Sequence, residues 1–183
     1  MPLADLLLPF LLTLPAYVAN PMAVLFGGGT PMDFDRTWRG RRVLGDGKTW
    51  RGFFGGAGSG LVLGALLTAL WNSGSEIPLW ATERLLLAFT ILAFGALLGD
   101  LAAAFVKRRL GLERGAKAPG LDQFDFLFGA LLLLLALDPR FFAATYLSGD
   151  RIYGLLLVIL ITPALHRAVN LIGFRMGKKK EPW

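Results

Sequence analysis

The chain has 183 residues, 55% of them hydrophobic and only 17% charged, and its mean hydropathy is positive at +0.56. That balance is too apolar for an ordinary soluble domain of this size and excludes a soluble single-domain enzyme. The absence of cysteine removes disulfides, thiolate nucleophiles and thiolate metal ligands, and a lone histidine leaves little room for zinc.

Apolar blocks run over about residues 3–26, 53–71, 85–105, 122–137 and 152–173, most of them near the ~20 residues that carry a helix across the hydrocarbon layer. The expectation is an all-α integral membrane protein of five transmembrane helices, forming one domain over residues 1–183. The first block lacks the basic flank and cleavage site of a secretory signal and is interrupted by Pro9 and Pro15, so it reads as a retained, kinked helix. The second block carries Gly52, Gly56, Gly60 and Gly64, a small-residue stripe that lets another backbone approach closely. Helix packing within the chain is the main reading of that stripe, and a homodimer seam is the other.

The net charge of +6 is strongly segregated. Six Lys/Arg lie in residues 27–51, five in 106–123 and five more among Arg167, Arg175 and Lys178–Lys180, which makes 16 of 19. Such segregation fits membrane topology better than nucleic acid, and the positive-inside rule puts both basic loops and the C-terminus in the cytoplasm, with the N-terminus outside. The Lys178–Lys180 run reads as a short tail near anionic headgroups. The connections 72–83 and 138–151, which hold Gly, Pro and Ser, read as external turns.

The polar residues within the spans fall in a layer. Asp100 is 15 residues past Leu85, roughly 22 Å from the outer edge, and Asp122, Asp125, His166 and Arg167 reach a similar depth by the same count. Ionisable groups so placed face a bundle interior or a wet cavity. A pairing such as Asp100 with Arg167 that merely holds helices together is the structural alternative, and His166 reads as a hydrogen-bonded helix residue. Three carboxylates below a shell of cations suit instead a divalent metal and a polyanion, in a polar pocket made by the two cytoplasmic loops and open to that side only.

Gly45-Asp46-Gly47-Lys48-Thr49 is not a Walker A motif, because Arg42 stands where that spacing needs glycine. What it retains is a lysine, amides and a hydroxyl at a helix N-terminus, which favours phosphate. Gly27-Gly28-Gly29-Thr30-Pro31 supplies backbone that can approach a ligand. Lys107, Arg108 and Arg109 close the third span two turns beyond Asp100, bringing phosphate-binding cations onto the helix that carries a candidate metal ligand.

Three blocks then carry a resemblance. Gly47-Lys48-Thr49-Trp50-Arg51-Gly52-Phe53-Phe54-Gly55-Gly56, Gly99-Asp100 with Phe105-Val106-Lys107-Arg108-Arg109, and Leu121-Asp122-Gln123-Phe124-Asp125 resemble, in order, signature parts of the phosphatidate cytidylyltransferases. With Asn20-Pro21 and the Gly27–Asp33 run, they resemble the archaeal branch of that group, the CDP-archaeol synthase family, over roughly residues 19–127. Ala104 and Gln123 stand where the bacterial members carry serine and arginine.

The resemblance implies a single membrane-embedded cytidylyltransferase domain that moves CMP from CTP to 2,3-bis-O-geranylgeranylglycerol 1-phosphate, yielding CDP-archaeol and pyrophosphate. CTP, the prenylated ether-lipid phosphate and membrane lipids are then the partners and Mg²⁺ the cofactor. The expected catalytic residues are Asp100, Asp122, Asp125 and Lys107, the three aspartates being the metal ligands. Lys48, Thr49, Arg108, Asp46, Arg42, Gly28, Gly29 and Asp33 are expected at CTP, with Arg39 as a further loop candidate. The rival readings are a small anion or nucleotide transporter, a noncatalytic scaffold for acidic lipids, and a cytidylyltransferase acting on ester-linked phosphatidate.

Overall fold

The computed structural model describes residues 3–74, 80–113, 115–178 and 181. Part of the 72–83 connection and Lys179 and Lys180 of the tail lie outside the described residues. Among the described residues there are six α-helices: α1 (Leu3–Leu25), α2 (Trp50–Gly74), α3 (Thr82–Arg109), α4 (Leu121–Leu137), the short α5 (Pro139–Phe142) and α6 (Arg151–Arg175). Four are long and apolar enough to cross a membrane, and α4 with the bent segment after it makes up to a fifth span. The chain is a multi-pass helical membrane protein. Among the described residues a two-stranded hairpin, β1 (Thr37–Trp38) with β2 (Arg41–Arg42), is the one element outside the all-α expectation. Its turn places Arg39 and Gly40 at φ of 53° and 74°, the left-handed pair that a two-residue hairpin demands.

The glycine stripe explains how α1, α2 and α3 meet. A Cβ at Gly52 or Gly56 would come within 2.7 and 2.5 Å of the carbonyl oxygens of Ala23 and Ala19 on α1. One at Gly60 would strike Ala93, and one at Gly64 would strike Phe89, both on α3. The stripe is therefore filled from within the chain. This corrects the homodimer alternative for these glycines, because a second copy would have to displace α1 and α3 to reach them.

A second, tighter seam joins α3 to α4. A Cβ at Gly99 would lie 2.1 Å from the Asp125 carbonyl oxygen, and one at Gly129 would lie 2.4 and 2.5 Å from Gly95 O and Gly99 Cα. With no side chains between them the two backbones touch, and Asp100 and Asp125 are carried to the same place. Around these seams Leu92, Leu97, Leu127 and Leu134 are fully buried, as they must be where helices interlock rather than face lipid.

The connection 138–151 is not the simple turn expected. After α4 the chain bends by 120°, forms α5 and a π-helical turn (Ala143–Leu147), and buries Phe141, Phe142 and Tyr146. Asp138 makes the bend: its carboxylate accepts from the Phe141 amide at 3.0 Å and from Arg84 Nη2 and Nε at 2.8 and 3.0 Å. The Arg84 guanidinium in turn lies 4.8 Å above the Trp80 ring. Asp138→Ala removes a cap and leaves Arg84 without its acceptor, with an expected cost of about 1–3 kcal/mol. The thermal midpoint in detergent should fall while turnover per folded molecule stays unchanged.

Helix α6 lies against α1. Gly154 admits Leu6 and Pro9, Tyr17 and Thr162 share a hydrogen bond of 2.5 Å, and Arg151 Nε reaches Asp5 at 3.0 Å.

Candidate active site

At the other end of the bundle two loops are laced together over the ends of α1–α4. Met32 N donates to Lys48 O at 2.8 Å and Trp50 N to Thr30 O at 3.2 Å, so the glycine-rich turn lies beside the start of α2. Thr49 is buried and its hydroxyl accepts from Gly52 N at 3.2 Å, an N-cap in function. The residue expected at CTP thus also begins a helix. Gly28 and Gly29 sit at φ of 104° and 79°, and nothing lies within 4 Å of a Cβ built on Gly28. Gly29 is tighter, since a Cβ there would come within 3.2 Å of Arg51 Cδ.

Asp33 anchors the first loop. Its side chain is 1% exposed and accepts from Arg42 Nη2 at 2.7 Å and from the Leu44 and Gly45 amides at 2.9 Å each. Arg42 also reaches Asp46 at 2.5 Å and Asp35 at 3.0 Å. Burial alone would raise the Asp33 pKa, but the Arg42 guanidinium and the two amides outweigh it and hold the carboxyl well below the usual range. Asp33, Arg42 and Asp46 therefore satisfy one another, and Asp33 shapes the loop from beneath. Because the folded pKa is depressed, this stabilisation is complete above the ordinary carboxylate value of about 3.9 and is lost only as pH falls from there toward the lower folded value. Asp33→Asn should loosen the loop at neutral pH, seen as faster proteolysis there than in the wild type. The corresponding acid-induced loosening in the wild type, followed by proteolysis of the loop, should begin only below about pH 4.

The second loop holds the first through Arg109, whose Nη1 donates to Trp38 O and Nη2 to Arg42 O at 2.6 Å. Arg41 returns a bond to Arg109 O at 2.9 Å, and Trp38 stacks on Phe105 with ring centres 5.6 Å apart. Arg109 was visible in the sequence only as one of three cations; its clamp depends on a hairpin that no apolar pattern announces. Arg108 donates to Leu112 O at 2.6 Å, while its Nε is buried with no hydrogen-bond partner.

Below the loops lies the acid layer. Lys48 donates to Asp100, so Lys48 occupies the place that Arg167 held in the purely structural alternative. Lys107 Nζ reaches Asp122 at 2.6 Å, and the other Asp122 oxygen accepts from Ala118 N at 2.8 Å. Asp125 accepts from Phe126 N and interacts electrostatically with Asp100, Lys48 and Lys107. All five side chains are half-buried.

Asp100, Asp125, Lys48 and Lys107 are thus brought together as expected. The three aspartates do not form a ready ligand set: among the described residues no group of three acidic or imidazole side chains is placed to hold a metal. Asp122 is turned to Lys107 and the Ala118 amide. His166 is paired with Asn170 at 3.2–3.3 Å, the hydrogen-bonded helix role foreseen for it.

Fold and site define a membrane-embedded helical protein with a layer of interleaved lysines and aspartates beneath two basic loops at one end. The family model "CarS-like: CDP-archaeol synthase" matches residues 3–183. The chain is 50% identical over 171 residues to a CDP-archaeol synthase of Methanosphaerula palustris, and 46% identical over 171 residues to that of Methanoculleus marisnigri, in both cases over 93% of this chain and 99% of the relative. A solved structure, described as an intramembrane enzyme for archaeal membrane lipids biosynthesis, matches with a TM-score of 0.63 and 39% identity, over 85% of this chain and 92% of that one. The chain belongs to the CDP-archaeol synthase family.

Proposed function

We propose that the protein is a CTP:lipid-phosphate cytidylyltransferase that transfers CMP from CTP to 2,3-bis-O-geranylgeranylglycerol 1-phosphate. A phosphate oxygen of the lipid forms the new bond to the α-phosphorus of CTP, the bond to the β-phosphate bridging oxygen breaks, and pyrophosphate leaves. The lipid phosphate is already a nucleophile, so no activated side chain is needed. Positioning and charge neutralisation supply the catalysis.

The observation that carries this reading is the alternation of charge around Asp125, with Lys48 on Asp100 and Lys107 on Asp122. Lys48 and Lys107 swing from their carboxylates to the triphosphate, with the open backbone of Gly28 on the loop that Met32 ties to Lys48. Arg108 adds charge at the loop. Asp100 and Asp125, hard oxygen donors on facing helices, fit the usual Mg²⁺ arrangement of one or two carboxylates completed by substrate phosphates. Asp122 joins that set only when Lys107 releases it. Asp100 and Asp125 would hold the Mg²⁺, which when bound would supply positive charge to stabilise the departing pyrophosphate. The distribution of cations supports a cytoplasmic site and C-terminus with the N-terminus outside, in one catalytic domain spanning residues 1–183.

The transporter reading needs polar groups reaching both faces. Among the described residues four of the outer charges are tied to each other, Arg84 with Asp138 and Arg151 with Asp5, and an apolar core that includes Leu12, Leu92 and Leu134 separates them from the acid layer. The deciding experiment gives purified protein labelled CTP, Mg²⁺ and either the ether-linked or an acyl-linked lipid phosphate. A CDP-lipid is expected, formed faster from the ether lipid. No nucleotide transfer to either would overturn the enzyme reading, and equal rates would overturn the lipid assignment.

A further inference from the structure

The glycine seam fixes the helix that carries Asp125 in one respect. Gly99 and Gly129 set how near α4 comes to α3, because backbone meets backbone there, but a contact without interlocking side chains does little to stop a helix turning about its own axis. At 3.6 residues per turn, such a rotation carries the Asp125 carboxylate sideways past Asp100. A side chain close to residue 125 must therefore hold the angle, and the next residue is placed to do so. Phe126 is 4% exposed, its amide donates to Asp125 Oδ1 at 2.6 Å, and its ring makes a T-shaped contact with Tyr17 of α1, the ring centres 5.3 Å apart.

Tyr17 is itself held from a third helix. Its hydroxyl reaches across to α6, with Thr162 Oγ1 at 2.5 Å and Val158 O at 3.2 Å, and Phe10 lies against its ring with centres 6.0 Å apart. An aromatic ring bonded at its tip and packed along its side is a stiff wedge. The bundle contains a second pair of the same make. Tyr146 and Thr13 share a bond of 3.0 Å and are fully buried, but that pair joins α1 to the turn beyond the outer end of α4. We infer that Tyr17 is a positioning residue: wedged between α6 and Phe126, it fixes the rotation of α4 and so the direction in which Asp125 faces Asp100 and Lys48. The inference rests on the cytidylyltransferase reading and adds to it a residue that acts through Phe126.

Tyr17→Leu removes the wedge and keeps an apolar side chain. It should lower kcat for CMP transfer by at least about tenfold, the scale of loss when a partner that orients a metal-ligating carboxylate is removed. The KM for CTP should not change, since Lys48 and the two loops are untouched. Tyr17→Phe keeps the ring against Phe126 and should restore most of the turnover. A second readout needs neither metal nor nucleotide: carbodiimide labelling of Asp125 relative to Asp100, resolved by mass spectrometry, should depart from the wild-type ratio in Tyr17→Leu and stay near it in Tyr17→Phe. Tyr146→Phe breaks the other pair and should lower the thermal midpoint while leaving kcat and the labelling ratio alone. An unchanged ratio in Tyr17→Leu would overturn the inference, as would an equal fall of kcat in Tyr146→Phe. If the wild type transfers no CMP, the enzyme reading fails instead, and the ratio still decides the wedge. Should Tyr17→Leu not elute as folded protein, Phe126→Leu removes the same contact from α4 and should shift the same ratio; a wild-type ratio there overturns the assignment.

Discussion

Asp100→Asn is expected to lower CMP transfer by about two to three orders of magnitude while the protein remains folded in detergent. The carboxylate stands on α3 at the depth where α4 brings Asp125 against it, and its present partner is Lys48. Substitution removes a hard donor from the proposed Mg²⁺ set and strands the lysine. Lys48→Ala should act differently, raising the KM for CTP by about tenfold with a smaller loss of turnover. Because the two side chains are paired, the double variant should lose less than the product of the single losses. Isothermal titration with Mg²⁺ and CTP separates the roles: Asp100→Asn should weaken metal-dependent nucleotide binding, and Lys48→Ala should weaken binding with or without metal. Near-normal turnover in Asp100→Asn would remove the acid layer from the chemistry.

Gly99→Val is expected to abolish activity through geometry alone. Its Cβ would lie 2.1 Å from the Asp125 carbonyl oxygen and 2.9 Å from Gly129 Cα, both backbone atoms, so neither can rotate away. Helix α4 must move by more than an ångström, and misplacement on that scale costs about a hundredfold in rate. Overpacking adds about 1–3 kcal/mol of destabilisation. Gly129→Val should reproduce the phenotype from the opposite helix, since its Cβ would meet Gly95 O and Gly99 Cα. Asp125 accessibility can be followed with a carboxyl-directed probe in both variants. Wild-type rates in either would show that the seam does not set the spacing of Asp100 and Asp125.

The spans were legible because hydrocarbon thickness imposes a length that any sufficiently apolar block reveals. The acid layer was legible for a related reason: counting 1.5 Å per residue from each outer edge puts Asp100, Asp122 and Asp125 at one depth. Depth is one coordinate, however, and pairing needs the other two. Nothing in a 52-residue separation says that Lys48 rather than Arg167 reaches Asp100. That was decided by the loop contacts of Met32 and Trp50. The stripe on α2 was read, whereas Gly95 and Gly129 were not singled out and Gly99 was read only as part of the Gly99-Asp100 signature, though the three bring the two aspartates together. Gly95 and Gly99 share the same four-residue spacing and were the available signal. Asp138-Pro139 and Gly149 looked like turn residues because a capping aspartate and a proline at N1 are equally at home in both settings. Thr49 was expected at a ligand, and its capping of α2 through an accepted bond from Gly52 N was not read from the sequence.

The pairing of Lys48 with Asp100 and of Lys107 with Asp122 has a consequence for what the notch admits. On the proposed reading each ammonium and each carboxylate is the other's counter-ion until substrate arrives. A bare anion drawing off the lysines would strand two acids, and a bare divalent ion drawing off the acids would strand two amines. Only a ligand that brings both signs at once, a polyphosphate already chelating its metal, leaves no orphan charge behind. On the proposed reading the resting site would discriminate against either component alone, and the two salt links would make metal and nucleotide depend on each other in binding.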